Sequence, residues 1–240
     1  MALFTSATPV SRTLRVLAHL LRYPDAELRP HLLELRDALR DERALTTSRL
    51  LELDRLIDRI RVAPALDAEA GYVELFDRGR GTSLHLFEHV HGDSRERGPA
   101  MIALIQTYEQ AGLELAPGEL PDFLPVVLEY ASTQPPEQAR AFLAEFAHLL
   151  RAIFSALLKR GSAYASVLAA LLDLAGERAE RVELPDERAL DDEWAEPAAF
   201  DGCSSAGQAG RAPSGAAQPI RIVKPRIPAA PAPTSPGARP

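Results

Sequence analysis

Five residues of this 240-residue chain carry the most pointed chemical suggestion, His85-Leu86-Phe87-Glu88-His89. Two histidines four apart lie one helical turn from each other, where both rings can hold one zinc ion while the glutamate activates a bound water. That is the H-x-x-E-H arrangement of a zinc-dependent hydrolase. A catalytic zinc also needs a third protein ligand, and Gly161 to Leu172, where a distant glutamate would be sought, contains no acid. His91 and Asp93 are near enough to substitute but fall where the helix should be ending. A five-residue pattern with two histidines arises easily by chance. The first reading is therefore the polar face of a helix whose Leu84, Phe87 and Val90 point inward. Zinc hydrolysis through His85, Glu88 and His89 stands as the alternative function; no metal ligand set and no cofactor is expected.

Four guanidinium groups, Arg78, Arg80, Arg95 and Arg97, surround the same stretch, with Asp77, Glu88 and Asp93 close by. Arginine's planar fork pairs two-toothed with carboxylates, so the cluster reads as an ion-pair network ordering two loops, ahead of an anion site. Gly79-Arg80-Gly81-Thr82 is no phosphate loop, since the G-x-x-x-x-G-K-[ST] spacing is missing and no strand precedes it. There is no G-x-S-x-G elbow, and the single cysteine, Cys203, has no ordered base to activate it.

The elements that must position these residues read as helices throughout. Leu14, Leu17 and Leu21 mark a helix from Ser11 to Arg22 that stops at Tyr23-Pro24. Asp25 can cap a second, carrying Leu28, Leu32, Leu35 and Leu39. A third begins near Thr47 or Ser48 with Leu50, Leu53, Ile57 and Ile60 inward. Asp67 can cap a fourth through Tyr72, Val73 and Phe76, and Thr82 or Ser83 starts a short one that ends at Gly92. Met101, Ile102, Ile105 and Tyr108 follow Gly98-Pro99 and stop at Gly112. Leu120 to Tyr130 holds Pro121 and Pro125 in its opening turns. Pro135-Pro136 opens the longest helix, reaching Gly161 and central to the core, and a last one carries Tyr164 to Leu172 before Gly176. The expectation is an all-α domain of roughly eight helices over residues 1–176, an acidic linker over 177–196 and a disordered tail rich in Pro, Ala and Gly over 197–240.

Composition and charge narrow the class. Aromatics are 6% of the chain, and one cysteine excludes a disulfide-stapled secreted domain. The least polar stretch, Gly161 to Leu172, falls short of the roughly 20 residues that span a bilayer. No signal peptide is visible, so the expected location is the cytosol, without membrane insertion. Residues 1–195 carry 22 Lys and Arg against 32 Asp and Glu, whereas 196–240 carry 5 against 2, so the body is −10 and the tail +3. An acidic body argues against a nucleic-acid binder, which needs a basic face, and suits a basic partner. Trp194 with Phe200, or Ile220-Arg221-Ile222-Val223-Lys224, can anchor the tail on that body, covering a groove until a partner arrives.

The run Tyr72-Val73-Glu74-Leu75-Phe76-Asp77-Arg78-Gly79-Arg80-Gly81-Thr82-Ser83-Leu84-His85-Leu86-Phe87-Glu88-His89-Val90-His91-Gly92-Asp93-Ser94-Arg95 resembles the central motif of the NarJ-type chaperones. These are the delta subunits of respiratory nitrate reductase, within the wider TorD-like redox-enzyme maturation family. Leu20-Leu21-Arg22-Tyr23-Pro24, Glu119-Leu120-Pro121-Asp122-Phe123-Leu124-Pro125 and Glu193-Trp194-Ala195-Glu196-Pro197 support the likeness, which covers most of residues 11–200. It implies an all-helical, cytoplasmic, non-enzymatic chaperone without a cofactor of its own. Such a protein binds the apo catalytic (alpha) subunit of nitrate reductase, including its N-terminal segment, and keeps it competent for molybdenum cofactor insertion before membrane anchoring. In the wider family Tyr72-x-x-Leu75-Phe76 and Glu119-x-Pro121-Asp122 match motifs linked to a partner-binding groove and a nearby loop. The broader pattern often has histidine after the aspartate, where this chain has Phe123. The candidate partner-binding residues are Tyr72, Leu75, Phe76, Arg78, Arg80, His85, Glu88, His89 and Arg95, with Glu119 and Asp122 on the adjacent loop.

A leader-like segment brings apolar anchors and cations, so its receptor needs a hydrophobic groove rimmed by acids. Promiscuous holding of unfolded chains would favour flexible methionine-rich faces, and there are two methionines. The expectation is specific binding.

Overall fold

A computed structural model describes residues 8–92 and 94–183. Among the described residues ten α-helices follow in chain order: α1 Ser11–Leu20, α2 Leu32–Glu42, α3 Thr47–Val62, α4 Ala65–Phe76, α5 Leu86–His91, α6 Arg97–Gln110, α7 Leu124–Thr133, α8 Pro136–Glu145, α9 Ala147–Lys159 and α10 Ala165–Leu174. Single 3-10 turns stand at Arg29–His31 and Arg80–Thr82. Among the described residues the one β pairing is an isolated antiparallel bridge between His85 and Phe123. The all-α expectation holds. The tail from 184 onward, with its boundaries, Trp194, Phe200, Cys203 and the Ile220 stretch, lies outside the described residues.

The centre of the core is α10, not the run before it. Every residue of α10 except Asp173 is buried, the pattern of a helix packed on all sides. It lies against α9, α3, α8 and α1, and Asp173, its one polar position turned to an edge, accepts from Arg49 Nε at 2.9 Å. The expected long helix from Pro136 to Lys159 is two, turning by 67° at Phe146. No proline or glycine stands at that break. The turn is set by packing: Tyr130, Phe142 and Phe146 form a chain of edge-to-face rings at 5.0 and 5.1 Å, which holds α8 to α7 while α9 bends back onto α10. Among the described residues no single helix is long and apolar enough to cross a membrane.

Around α10 the chain closes mostly as its pattern requires. Leu14, Leu17 and Leu20 of α1 are fully buried, and this helix packs chiefly on α7. Its N-terminal N–H groups, at Arg12 and Thr13, donate to the Glu42 carboxylate at 3.0 and 2.6 Å, a cap supplied by the last residue of α2. Asp25 Oδ1 accepts from the backbone of Glu27 and Leu28 at 2.9 and 2.8 Å, capping the turn that leads into the Arg29–His31 3-10 segment and not α2, which begins only at Leu32 behind His31. Thr46 caps α3 by accepting from Arg49 N. α4 opens at Pro64, with Asp67 inside its first turn and not at the cap. Glycines at φ +50 (Gly92) and φ +79 (Gly176) close α5 and α10, where a side chain would strain the left-handed backbone.

Three tyrosines are built into the interior, Tyr72 and Tyr164 in this core and Tyr108 in a separate small cluster with Leu104 and Val126. Tyr72 donates its hydroxyl to the Leu21 carbonyl at 2.8 Å and sits among Tyr23, Phe76 and Tyr164. Tyr108 donates to the Pro121 carbonyl at 2.8 Å. Burial pushes all three phenols, Tyr72, Tyr108 and Tyr164, well above the ordinary value; the nearby Tyr164 adds to the shift at Tyr72 and the Asp122 charge to that at Tyr108. A phenol whose ionisation is raised by folding contributes stability that is complete below the unfolded value near 10 and lost as pH climbs above it. Raising pH past about 10 should therefore unfold the chain, with the phenolate absorbance of these three of five tyrosines appearing only as helical circular dichroism collapses. Their ionisation in a still-helical protein would contradict the packing described.

Candidate partner-binding site around the His85 segment

The segment from Tyr72 to Arg97 leaves the core with α4, crosses a tight loop and returns through α5 to α6. Thr82 has no exposed surface; its hydroxyl donates to the Leu75 carbonyl and, at 3.2 Å, to that of Gly79. Gly79 is glycine for want of space: a Cβ there would stand 2.5 Å from Arg160 Nη2 and 2.6 Å from Thr82 Oγ1.

His85 is the N-cap of α5, in extended conformation, and pairs by the backbone bridge with Phe123. Leu84 O accepts from Leu124 N at 2.8 Å, and Leu86 N donates to Asp122 O at 3.0 Å. The His85 ring stacks on Phe123, with centroids 5.2 Å apart. Histidine and the residue after Asp122 therefore do meet, but through the ring of His85 lying on Phe123.

Asp122 is the junction. It is fully buried, its Oδ2 accepts from Phe87 N at 3.1 Å, and Arg97 Nη2 stands 3.9 Å away. Its other oxygen faces His85 Nδ1 at 3.6 Å, and neither of these two atoms has a hydrogen-bond partner. The carboxylate and its own carbonyl thus satisfy the first two N–H groups of α5, the role of a cap reached from 35 residues away. Ser83 donates to Glu88 Oε2 at 2.5 Å, Arg97 reaches Glu88 Oε1 at 3.6 Å, and His89 Nε2, as an N–H, donates to the Ser83 carbonyl at 2.8 Å.

This arrangement does not bring a zinc site together. His85 stands at the cap and turns to Asp122, and His89 Nε2 carries a proton committed to Ser83. No group of three or more His, Cys, Asp and Glu among the described residues is placed to hold a metal ion. The inward face also differs from expectation. Leu84 is buried and Phe87 partly so, but Leu86 takes the deep position and Val90 is 52% exposed, because the helix starts two residues later than its apolar spacing suggests.

The arginines divide. Arg78 is exposed and pairs with Glu74 at 3.0 Å along α4, and Arg97 takes Glu88 and Asp122. Arg80 and Arg95 are exposed, and Asp93 lies outside the described residues. Among the described residues, Arg78 and Arg97 thus hold separate carboxylates, on α4 and at the α5 junction. Of the remaining candidate residues, Tyr72, Phe76 and Asp122 are buried, Leu75 is partly so, and Glu119 meets Arg22 at 3.2 Å. Residues the motif reading passed over are Arg22, which Glu119 and Glu129 share, and Arg97. Arg97 was legible from its place in the arginine cluster; Arg22 carried no local signal beyond Leu20-Leu21-Arg22-Tyr23-Pro24.

This architecture is shared with a solved structure, a redox enzyme maturation protein from Archaeoglobus fulgidus, aligned at a TM-score of 0.50 over 74% of this chain and all of the other. At 16% identity that likeness concerns the fold. The nitrate reductase delta subunit model matches residues 24–170, and the chain belongs to that family. It is 44% identical over 160 residues to the nitrate reductase molybdenum cofactor assembly chaperone NarJ of Escherichia coli K12, covering 67% of this chain and 68% of that one. It is 42% identical over 163 residues to NarW of the same organism, covering 68% of each, and 32% identical to a NarJ of Bacillus subtilis, covering 67% of this chain and 86% of that one. The family is one of assembly chaperones and not of catalytic enzymes, which sets aside the zinc hydrolase.

Replacing Asp122 with Ala should cost about 2 to 3 kcal/mol, because it strips the acceptor from Phe87 N and leaves Arg97 facing a cavity. Asn keeps that acceptor and should lose roughly half as much. Urea unfolding gives the stabilities, and amide exchange at Leu86 and Phe87 gives the location. Unchanged exchange at both amides in Asp122→Ala would mean the junction does not hold α5.

Proposed function

We propose that this protein is an assembly chaperone for respiratory nitrate reductase. It binds the apo catalytic subunit in the cytoplasm, including its N-terminal segment, and keeps it competent for molybdenum cofactor insertion before membrane anchoring. The observation that carries the reading is the 44% identity over two thirds of the chain to a chaperone of that name. The geometry supports it in one respect: the motif residues are held by caps, by the backbone bridge to Phe123 and by packing of the Arg80–Thr82 turn on α9, as a binding surface must be to keep its shape, and not gathered round a reacting atom. Tyr72, Leu75 and Phe76 act from below, as the support of that surface. Arg78, Arg80, His85, Glu88, His89 and Arg95 present its polar side, with Glu119 at its edge and the buried Asp122 holding the start of α5 beneath it.

Co-expression of the catalytic subunit with and without this protein tests the reading. Without it, the subunit should accumulate with its molybdenum content reduced several-fold by elemental analysis. Wild-type subunit should co-purify with the chaperone, and subunit lacking its N-terminal segment should do so poorly. Full molybdenum loading in the chaperone's absence would overturn the proposal.

A further inference from the structure

Beyond Gly176 the chain does not leave the helices at once. Arg151 Nη2 of α9 holds Glu177 Oε2 at 2.7 Å, Ala179 packs on the core, and Val182 N donates to Ser155 Oγ at 2.9 Å. Ser155 is buried, and its own hydroxyl hydrogen goes to the Arg151 carbonyl at 2.8 Å, which leaves the oxygen to accept from the passing backbone. The segment from Glu177 to Val182 therefore tracks α9 from Arg151 towards its C-terminal end.

What lies ahead on that line is cationic. Leu158, Lys159 and Arg160 stand at the end of α9 and all three are exposed, Leu158 at 42%. Arg160 reaches across to the central motif. Its Nη1 donates to the Glu74 carbonyl in the last turn of α4 at 3.3 Å, and its Nη2 stands so close to Gly79 that no Cβ would fit there. The Arg80–Thr82 turn packs on α9, so Arg78 and Arg80, on either side of Gly79 and both exposed, extend the charge. Against these four cations stand Asp77 and Glu74, and Glu74 is paired with Arg78.

The residues that follow Glu183 are Leu184-Pro185-Asp186-Glu187, one leucine and two acids. Lys159 and Arg160 are four and five positions past Ser155, about 6 to 8 Å along a helix that rises 1.5 Å per residue. Two to four extended residues cover that distance from Val182. We infer that the cationic end of α9 is a docking surface for this chain's own residues 184–187, with Leu184 covering Leu158 and the Asp186 and Glu187 carboxylates meeting Lys159 and Arg160. The occupant follows from where the tracked segment points and from charge complementarity. Surface ion pairs are individually weak, but a segment already tied down at Val182 docks as an intramolecular event, at high effective concentration. Because Arg160 also holds the Glu74 carbonyl and borders Gly79, carboxylates drawn to it steady the Arg78–Thr82 turn. The start of the acidic linker is thus a strap on the central motif. This goes beyond the chaperone reading and stands without it.

Amide hydrogen exchange on the full chain tests the strap, read at Leu184, Asp186 and Glu187. At low salt these amides should exchange several-fold more slowly than their sequence alone dictates, and high salt should remove the difference. Lys159→Glu should remove it as well, and so should Asp186→Lys with Glu187→Lys. Lys159→Glu combined with Asp186→Lys should restore part of the protection, a rescue that loss of a merely structural lysine would not allow; thermal melts on each variant confirm folding. The Thr82 and Ser83 amides, which donate to Gly79 and Arg80 carbonyls at 3.1 and 3.3 Å, should exchange several-fold faster in Asp186→Lys with Glu187→Lys. Wild-type amides at 184–187 that exchange at their intrinsic rate overturn the docking. Protection indifferent to salt and to Lys159→Glu places the segment elsewhere and overturns it too. Unchanged Thr82 and Ser83 exchange once the linker amides have lost protection overturns the hold on the motif.

Discussion

A carboxylate with no exposed surface has to be met by hydrogen bonds and opposite charge, because removing it from water costs several kcal/mol otherwise. Asp122 meets that requirement through one oxygen, which reaches the start of α5, while its other oxygen faces His85 Nδ1 at 3.6 Å without a hydrogen bond, and the requirement works in both directions. A helix of six residues does not persist by its own propensity. Its first N–H groups are satisfied by Asp122 and its far end by Gly92, while Leu86 anchors it in the core. Once α5 is held in this way, Ser83, Glu88 and His89 have little freedom left, since each is bonded to another within the same seven residues. Arg97, at the first turn of α6, then closes the set from the other side.

α1 is held with the same economy. Its inner stripe of leucines is fixed by α7 and α10, its N-terminus by Glu42 and its C-terminus by Tyr72. The outer stripe of Arg15, His19 and Arg22 inherits that rigidity without adding to it. A ring that sets where α1 ends also sets where Arg22 and Tyr23 stand, and a packed core transmits such a constraint because it has no slack to absorb it.

What the sequence makes legible here is local. The start of α3 at Thr47, the glycine ends at Gly92 and Gly176, and the leucine stripe of α1 follow from backbone sterics and helical period within a few residues of each position. Three features escaped because their causes are distant along the chain. The turn at Phe146 has no breaker residue and depends on rings from Tyr130 and Phe142. His85 leaves the helix because Phe123 offers it a backbone bridge, which no local spacing encodes. Asp122 reads as a loop carboxylate, since charged residues are seldom buried unless paired, and its partners are 25 and 35 residues away. The centre of the core shifted to α10 for a related reason. A ten-residue apolar stretch looks less weighty than a longer amphipathic one, although an all-round apolar surface is what total burial demands.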